Sequence, residues 1–344
     1  MCGRLSGDAM RRRRQVFIAL VALSLTAAAP VPAKRFDGFN IVVVPGHPFG
    51  SASANLAMAQ AKKVGAVALA IVPFLWQATP QSPAIGRGSD MPDDELRSAI
   101  RETHKLGMAA IIKPNVWVPK SWAGAVEPAS EPDWRAWFNA YDEAITHIAR
   151  LAAEEKAEAL IIGTELTKTS KRPEWNSLIG RVRGLYSGLL FYVAHNADEA
   201  EQVAFWPLLD AIGISLYPPL GFDKDRDGRL REMTRSADRV DVLAKRFGKP
   251  VIVAEIGLRS AQGAAAKPWE SPEERTSAAA PLLQAEVLGD WLRVLDRPTV
   301  QGVLIWRWLS DPLAGGLADT DFTVQGKPAE DVLRCAWTTS CPKL

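Results

Sequence analysis

The feature of this sequence that most constrains its fold is a regular alternation of short apolar runs with longer amphipathic segments. The segments between the runs have the period of an α-helix, and several end at glycine, which is typical of helix C-termini. Strands that alternate with helices form parallel sheets. The sequence therefore predicts an α/β fold, a single (β/α)₈ TIM barrel. Its eight predicted strands are FNIVVV, AVALAIVPF, MAAIIKPN, ALIIGTE, LLFYVAHN, AIGISLY, PVIVAEI and GVLIWRW.

An open, doubly wound sheet is the alternative arrangement of such units. That fold requires a glycine-rich phosphate-binding turn after its first strand. The first predicted strand is followed by PGHPFGSAS, which does not match the G-x-G-x-x-G pattern. No low-complexity linker or internal repeat divides the chain beyond its first segment. We therefore expect residues 34–344 to form one catalytic domain.

The first 33 residues differ in character from the rest of the chain. Four arginines at positions 11–14 precede an apolar stretch that ends in small residues at Ala33. This order is typical of an export signal, and the stretch is shorter than the about 20 residues that a membrane-spanning helix needs. We predict an export signal at residues 1–33 and a periplasmic or secreted protein with no membrane association after signal removal. A membrane anchor is the alternative.

The same segment accounts for the apparent basicity of the chain. Residues 1–33 contain five Arg and one Asp, so the formal net charge of +2 for the whole chain becomes −2 for residues 34–344. Because no basic stripe remains, we expect no nucleic-acid partner. We expect a monomer. Cys335 and Cys341 remain near the C-terminus, where an oxidising compartment would let them form a disulfide; two free thiols are the alternative.

One loop resembles the start of a calcium-binding loop. Asp223, Asp225 and Asp227 precede Gly228, but the twelfth position of the motif, which should be a bidentate Glu, is Thr234. We interpret this segment as a loop that caps the next helix. The four histidines are scattered, and no H-E-x-x-H or C-x-x-C motif occurs. We therefore expect no metal and no cofactor.

Polar and aromatic residues lie at the predicted strand ends, where a barrel of this class assembles its active site. Side chains along a strand alternate between two faces, so Lys113, Asn115 and Trp117 are expected to point the same way, as are Trp306 and Trp308. We expect a substrate-binding ring at this end of the barrel. Its predicted members are Trp76, Lys113, Asn115, Trp117, His195, Asn196, Tyr217, Trp306 and Trp308.

Flat aromatic surfaces beside hydrogen-bonding groups suit a sugar, which offers an apolar ring face and a rim of hydroxyls. We therefore predict a polysaccharide or oligosaccharide as the partner. Any single tryptophan could instead be a packing residue. The tryptophans at predicted strand ends or in the loops after them are Trp76, Trp117, Trp122, Trp175, Trp269, Trp306 and Trp308.

Two glutamates complete the strand ends, Glu165 at the end of the fourth predicted strand and Glu255 at the end of the seventh. Glycoside hydrolysis needs one protonated acid and one ionised carboxylate, and a retaining mechanism places them about 5 Å apart. We expect burial and the like charge to raise the pKa of Glu165. Tyr217 is expected to hydrogen-bond Glu255, and His195 to position a carboxylate or contact substrate. The alternative is that each glutamate is a structural ion-pair partner of Lys113 or Arg259.

The segments IIGTEL, ISLYPPL, VAEIGLRS and VLIWRW, in this order, resemble glycoside hydrolase family 113, which includes endo-β-1,4-mannanases. The resemblance implies a retaining (β/α)₈ β-glycosidase acting on mannan-type chains, with Glu165 as acid/base and Glu255 as nucleophile. Related families place Asn before the acid/base, where this chain has Thr164, so Asn115 or Asn196 would grip the sugar. The alternatives are a non-catalytic carbohydrate-binding barrel and a metal-assisted hydrolase.

Overall fold

The computed structural model describes residues 35–89 and 91–339, together with Gly3. The chain divides after Ala33, and the barrel lies within the unit Lys34–Leu344. The predicted export signal lies outside the described residues. Cys335 is disulfide-bonded, and Cys341 lies outside the described residues.

Eight parallel strands close into a barrel, which confirms the predicted (β/α)₈ fold. The first strand in the chain pairs with both the second and the last, so that the barrel has no open edge. Around the barrel the strands follow their order in the chain. They are β1 (Gly38–Val42), β2 (Ala68–Ile71), β5 (Ala109–Ile112), β7 (Ala159–Thr164), β8 (Leu189–His195), β9 (Ala211–Leu216), β10 (Val251–Ile256) and β11 (Val300–Leu309).

A second, three-stranded sheet lies outside the barrel. It consists of β3 (Phe74–Trp76), β4 (Gly86–Arg87) and β6 (Asn115–Trp117). Two predicted strands therefore break in two, the second at Pro73 and the third at Pro114, where proline lacks the N–H that would continue the ladder. The expectation that Lys113 and Trp117 share one strand face was wrong, because Lys113 is fully buried whereas Trp117 is 49% exposed in the second sheet.

Helices connect the strands and cover the outer face of the barrel. Ser51 caps the first helix by accepting a hydrogen bond from the Ala54 N–H, and Gly65 ends it in a left-handed conformation. The sequence analysis did not predict the last helix. The helices are α1 (Ala52–Val64), α2 (Asp93–Lys105), α3 (Glu131–Glu154), α4 (Glu174–Leu185), α5 (Asn196–Ala200), α6 (Arg226–Phe247), α7 (Pro281–Val294) and α8 (Pro328–Trp337). Within the described part of the chain, none of the helices has both the length and the apolar character to cross a membrane.

The strand alternation divides the core into an inner and an outer layer. Ala159 and Ile161 of β7 lie in the cluster inside the barrel, whereas Leu160 and Ile162 belong to the larger cluster that includes the helices. The interior cluster combines small residues such as Ala159 with larger ones such as Ile161 and Phe191. The polar groups of the barrel therefore gather at its mouth, beyond the last inner apolar layer.

Candidate active site

Strand β9 contacts both glutamates at the barrel mouth. The Ser215 hydroxyl donates a hydrogen bond to Oε1 of Glu165, and the Tyr217 hydroxyl donates to Oε1 of Glu255 at 3.0 Å. Ser215 lies on β9 and Tyr217 directly follows its last residue, and since residues two apart along an extended chain face the same side, the two donors point the same way. Glu165 follows β7 and Glu255 lies on β10, on either side of the β8–β9 pair. The fold thus brings the two predicted carboxylates to one site.

Glu255 has a cation as its second partner. The ammonium of Lys113, which is fully buried, donates to Oε2 of Glu255. Burial raises the pKa of Glu255 above its usual range; the Lys113 charge opposes this rise, and the negative charge of Glu165 adds to it. Burial also raises the pKa of Tyr217 well above its ordinary value, so the phenol keeps its proton and acts as a donor. Glu255 is therefore held by two fixed donors.

Glu165 has a different environment. Its backbone is left-handed, with φ of 56°, and Nδ1 of His195 lies 2.8 Å from Oε1. Burial by itself raises the pKa of Glu165, but the hydrogen bond and charge of His195 and the Ser215 hydroxyl outweigh it, and the pKa lies below the usual range. The expectation of a raised pKa was therefore wrong for the free protein, because it considered burial and Glu255 but not these two donors.

Asn196 determines which nitrogen of His195 carries the proton. The Tyr217 backbone N–H can only donate, and it lies 2.8 Å from Oδ1 of Asn196. The amide Nδ2 therefore faces Nε2 of His195, at 3.0 Å, and donates to it. A nitrogen that accepts has no proton, so the neutral ring carries its proton on Nδ1 and donates it to Glu165. Asn196 therefore supports the histidine; its second Nδ2 hydrogen is not used in these two bonds, so its contact with the sugar stays a prediction.

Burial and the neighbouring carboxylate act on His195 in opposite directions. Burial lowers the pKa of His195, but Glu165 more than compensates, and the pKa lies above its ordinary value. Protonation at Nε2 would remove the lone pair that accepts the hydrogen bond from the Asn196 amide. His195 therefore stands between a carboxylate that favours its cation and an amide that favours its neutral form.

A third buried carboxylate, Glu199, lies behind His195. It accepts hydrogen bonds from the His195 backbone N–H at 2.7 Å, the Tyr192 hydroxyl at 2.6 Å and the Thr167 hydroxyl at 2.8 Å. Burial raises the pKa of Glu199. The residue thus links the ends of β7 and β8. Sequence analysis missed it, and missed Ser215; an acid just after a predicted strand end was the available signal for Glu199.

The two tryptophans of β11, Trp306 and Trp308, lie in different environments. Trp306 lies at the mouth, with Nζ of Lys113 5.0 Å from its ring centroid. Trp308 is buried, donates from its indole to the Ala57 carbonyl at 3.0 Å and packs on Phe39 at 4.7 Å. The prediction of Trp308 as a substrate-binding residue was therefore wrong. Trp308 turns away because the pairing of β11 with β1 is irregular. Trp306 pairs with Asn40 and Trp308 with the next residue, Ile41, so Arg307 is skipped. The Trp308 side chain therefore takes the opposite face from the one that simple alternation predicts.

The other predicted sugar platforms vary in exposure. Trp76 and Trp117 pair in the second sheet, 43% and 49% exposed, with ring centroids 6.2 Å apart. Oδ1 of Asn115 is buried and has no hydrogen-bond partner among the described residues, which keeps it as a candidate for a sugar hydroxyl. Trp175, in contrast, is fully buried in the core.

The aspartate loop does not form a metal cluster. Asp225 caps α6 by accepting a hydrogen bond from the Gly228 N–H, as the sequence indicated. The Asp223 carboxylate accepts hydrogen bonds from the backbone N–H groups of Gly263 at 2.5 Å and Ala265 at 3.3 Å. Among residues 35–89 and 91–339, no group of three or more His, Cys, Asp or Glu side chains is arranged to hold a metal ion.

Comparisons with known proteins agree on one family. The family model for Glycoside Hydrolase Family 113 matches residues 42–327. The GH113 β-mannanase AaManA from Alicyclobacillus acidocaldarius, solved with ManMIm, superposes with a TM-score of 0.80 at 26% identity, covering 88% of this chain and 97% of that one. A GH113 β-1,4-mannanase complex gives 0.79 at 25% identity, covering 88% and 99%.

More distant structures share only the barrel. The β-glucuronidase from Ruminococcus gnavus has a TM-score of 0.60 at 13% identity in its complex with D-glucuronic acid, covering 89% of this chain and 50% of that one. At this identity the likeness shows the fold alone. No curated protein sequence matches the chain.

Proposed function

This chain belongs to glycoside hydrolase family 113 and is a glycoside hydrolase, and we propose that it cleaves β-1,4-linked mannan-type polysaccharides or oligosaccharides with retention of configuration. In this proposal Glu165 is the acid/base and Glu255 the nucleophile. The sugar follows from the similar structures, which are β-mannanases at 25–26% identity.

The observation that carries the mechanistic proposal is the contrast between the surroundings of the two carboxylates, Glu165 after β7 and Glu255 on β10. Glu255 binds the Lys113 ammonium and the Tyr217 hydroxyl, and Glu165 binds His195 and Ser215. Pairs of carboxyl groups in different environments are what acid and nucleophile roles require. The salt bridge favours the ionised form of Glu255, which is the form that attacks carbon.

In the first step a Glu255 oxygen attacks the anomeric carbon, and Glu165 gives its proton to the glycosidic oxygen as the carbon–oxygen bond breaks. Oε1 of Glu165 already accepts two hydrogen bonds. The transferred proton is therefore carried on Oε2. Because the pKa of Glu165 is lowered in the free protein, bound substrate must raise it, and a sugar that excludes water from the carboxyl has this effect.

In the second step the covalent bond to the sugar removes the negative charge of Glu255. The electrostatic repulsion that favours a proton on Glu165 disappears, so Glu165 becomes a base. It removes a proton from water, the water oxygen attacks the anomeric carbon, and Glu255 leaves as a carboxylate. The sugar is released with its original configuration.

The test is turnover on mannan, glucan and xylan oligosaccharides, with the configuration of the first product followed by NMR. We expect mannan-type chains to be cleaved with retention. Glu255→Ala and Glu165→Ala should both lose turnover, and azide should restore Glu165→Ala on an activated aryl glycoside. An inverted product would contradict the assignment of Glu255 as nucleophile. Binding without turnover would instead favour a carbohydrate-binding barrel.

We also propose that residues 1–33 direct export and that the mature protein is a periplasmic or secreted monomer, not associated with the membrane. The support is the order of basic, apolar and small residues in that segment. N-terminal sequencing of protein from the periplasm or medium, followed by light scattering, tests this. A start at Lys34 and the mass of one chain are the expected results.

A further inference from the structure

Trp122 lies next to the catalytic site and has no role in the mechanism above. It immediately precedes the 3₁₀ turn Ala123–Ala125, in the loop after β6. Its indole is 44% exposed. The ring centroid lies 5.0 Å from that of His195, in an edge-to-face arrangement. Since His195 donates to Glu165, Trp122 lies on the Glu165 side of the mouth.

The position of the indole is built into its loop. A Cβ atom on Gly124 would lie only 2.2 Å from the indole, so the six-membered ring packs directly on the backbone of this buried glycine. One part of the indole therefore contacts its own turn, another contacts His195, and the rest faces solvent. An exposed aromatic surface that is fixed in this way is pre-organised for a ligand.

The proposed chemistry determines which ligand reaches this surface. The glycosidic oxygen receives its proton from Glu165, and the reacting sugar lies against Glu255. The sugar on the other side of that oxygen, which departs in the first step, therefore extends along the Glu165 side. Trp306, beside Lys113, lies on the opposite, Glu255 side. The apolar face of a pyranose ring stacks well on an indole.

We propose that Trp122 is the platform for the leaving-group sugar, so that it forms a binding subsite on the acid/base side of the cleaved bond. This inference rests on the proposed function. Trp122 then contributes to cleavage of a bond between two sugars and contributes nothing when the leaving group is fluoride, which has no ring that could stack on the indole.

The experiment compares a substrate with a sugar leaving group, β-1,4-mannohexaose, and one with a fluoride leaving group, β-mannobiosyl fluoride, in the full-length protein. Trp122→Ala should lower kcat/KM on the hexaose about tenfold, the equivalent of one aromatic stacking contact. It should leave kcat/KM on the fluoride substrate and its pH profile unchanged. Trp122→Phe, which keeps a flat ring, should recover part of the loss.

A second variant moves the indole without removing it. Gly124→Ala forces the ring away from the turn, and it should reduce hexaose cleavage selectively but by less than Trp122→Ala. Gly180→Ala is the matched control, because nothing lies within 4 Å of a Cβ atom at this exposed position of α4. Both activities of the control should equal those of the wild type.

The outcomes separate the inference from the proposed function. An equal loss on both substrates, or a shifted pH profile, would mean that Trp122 only supports His195 and would overturn the inference. Unchanged hexaose cleavage in Trp122→Ala would overturn it as well. A wild-type protein that cleaves neither substrate would refute the mannan-directed function, and this inference would fail with it.

Discussion

His195 donates its Nδ1 proton to Oε1 of Glu165 over 2.8 Å, while its Nε2 accepts a hydrogen bond from the Asn196 amide at 3.0 Å. The chain Tyr217 N–H, Asn196, His195, Glu165 is thus a directed series of hydrogen bonds whose polarity is determined by a backbone donor. It explains why the free protein holds Glu165 ionised. It also makes the protonation state of Glu165 sensitive to a residue that touches neither carboxylate.

Asn196→Asp should reverse the direction of the contact between residue 196 and Nε2 of His195 in this series. Aspartate can still accept from the Tyr217 N–H, and its short polar side chain suits the left-handed backbone at φ 53°. However, it cannot donate to Nε2, so His195 takes up a proton there and the adjacent cation lowers the pKa of Glu165 further. The basic limb of the kcat profile on mannohexaose, which reports Glu165 in the substrate complex, should move about one pH unit down. A limb that stays in place or moves up would contradict the series.

Lys113→Met should impair the nucleophile. Without the cation that opposes the effect of burial, the pKa of Glu255 rises further, and the acidic limb of the kcat profile, which reports the substrate complex, moves to higher pH. We expect kcat/KM at neutral pH to fall about 100-fold or more, as for loss of a preorganised charge. An unchanged acidic limb would show that Glu255 does not depend on Lys113.

The same ion pair makes a stability prediction. Removing one partner of a buried ion pair costs about 3–5 kcal/mol, because the remaining charge is left unpaired. Lys113→Met should therefore lower Tm, and adding Glu255→Gln should restore part of it by removing that charge. The measurement is thermal unfolding by circular dichroism at neutral pH. If the double variant is no more stable than Lys113→Met, the pair is not the source of the loss.

Trp308→Ala and Trp306→Ala should affect different properties. Trp308 is buried against Phe39 and α1, so its loss should reduce the free energy of unfolding by about 3–5 kcal/mol with little change in KM below the melting transition. Trp306→Ala should reduce kcat/KM with a smaller change in stability. Urea unfolding and steady-state kinetics on both variants distinguish these roles. If Trp308→Ala is stably folded but has a raised KM, Trp308 contacts the substrate and its interpretation as a packing residue is wrong.

Removal of divalent metal ions should leave activity unchanged. Asp223 and Asp225 direct their carboxylates to backbone N–H groups, so these oxygens are engaged within the protein. Activity and Tm measured after dialysis against a chelator should match the untreated values, with calcium-supplemented protein as the control. A fall in either value that calcium reverses would contradict this interpretation of the loop.

Local signals in the sequence were sufficient for several features of the site. The strand-end positions of Glu165 and Glu255, the hydrogen bond from Tyr217 to Glu255, and a positioning contact of His195 on a carboxylate were all predicted, and these contacts are present. Glu199 was missed although two of its partners, His195 and Tyr192, are close to it in the chain. Ser215 was missed because it acts on Glu165, which is 50 residues away in the chain. The pKa direction of Glu165 was wrong for the same reason.

The sequence by itself determined where the strands run, because strand-forming runs and helical periods are local properties of the chain. Only the tertiary structure decided which face some side chains take. Ala254 and Ile252 face the barrel interior, so simple alternation would turn Glu255 outward; a register shift between Val253 and Glu255 relative to β9 instead brings it to the mouth. A similar shift turns Trp308 away. Such shifts depend on hydrogen bonds to neighbouring strands, which no local pattern contains.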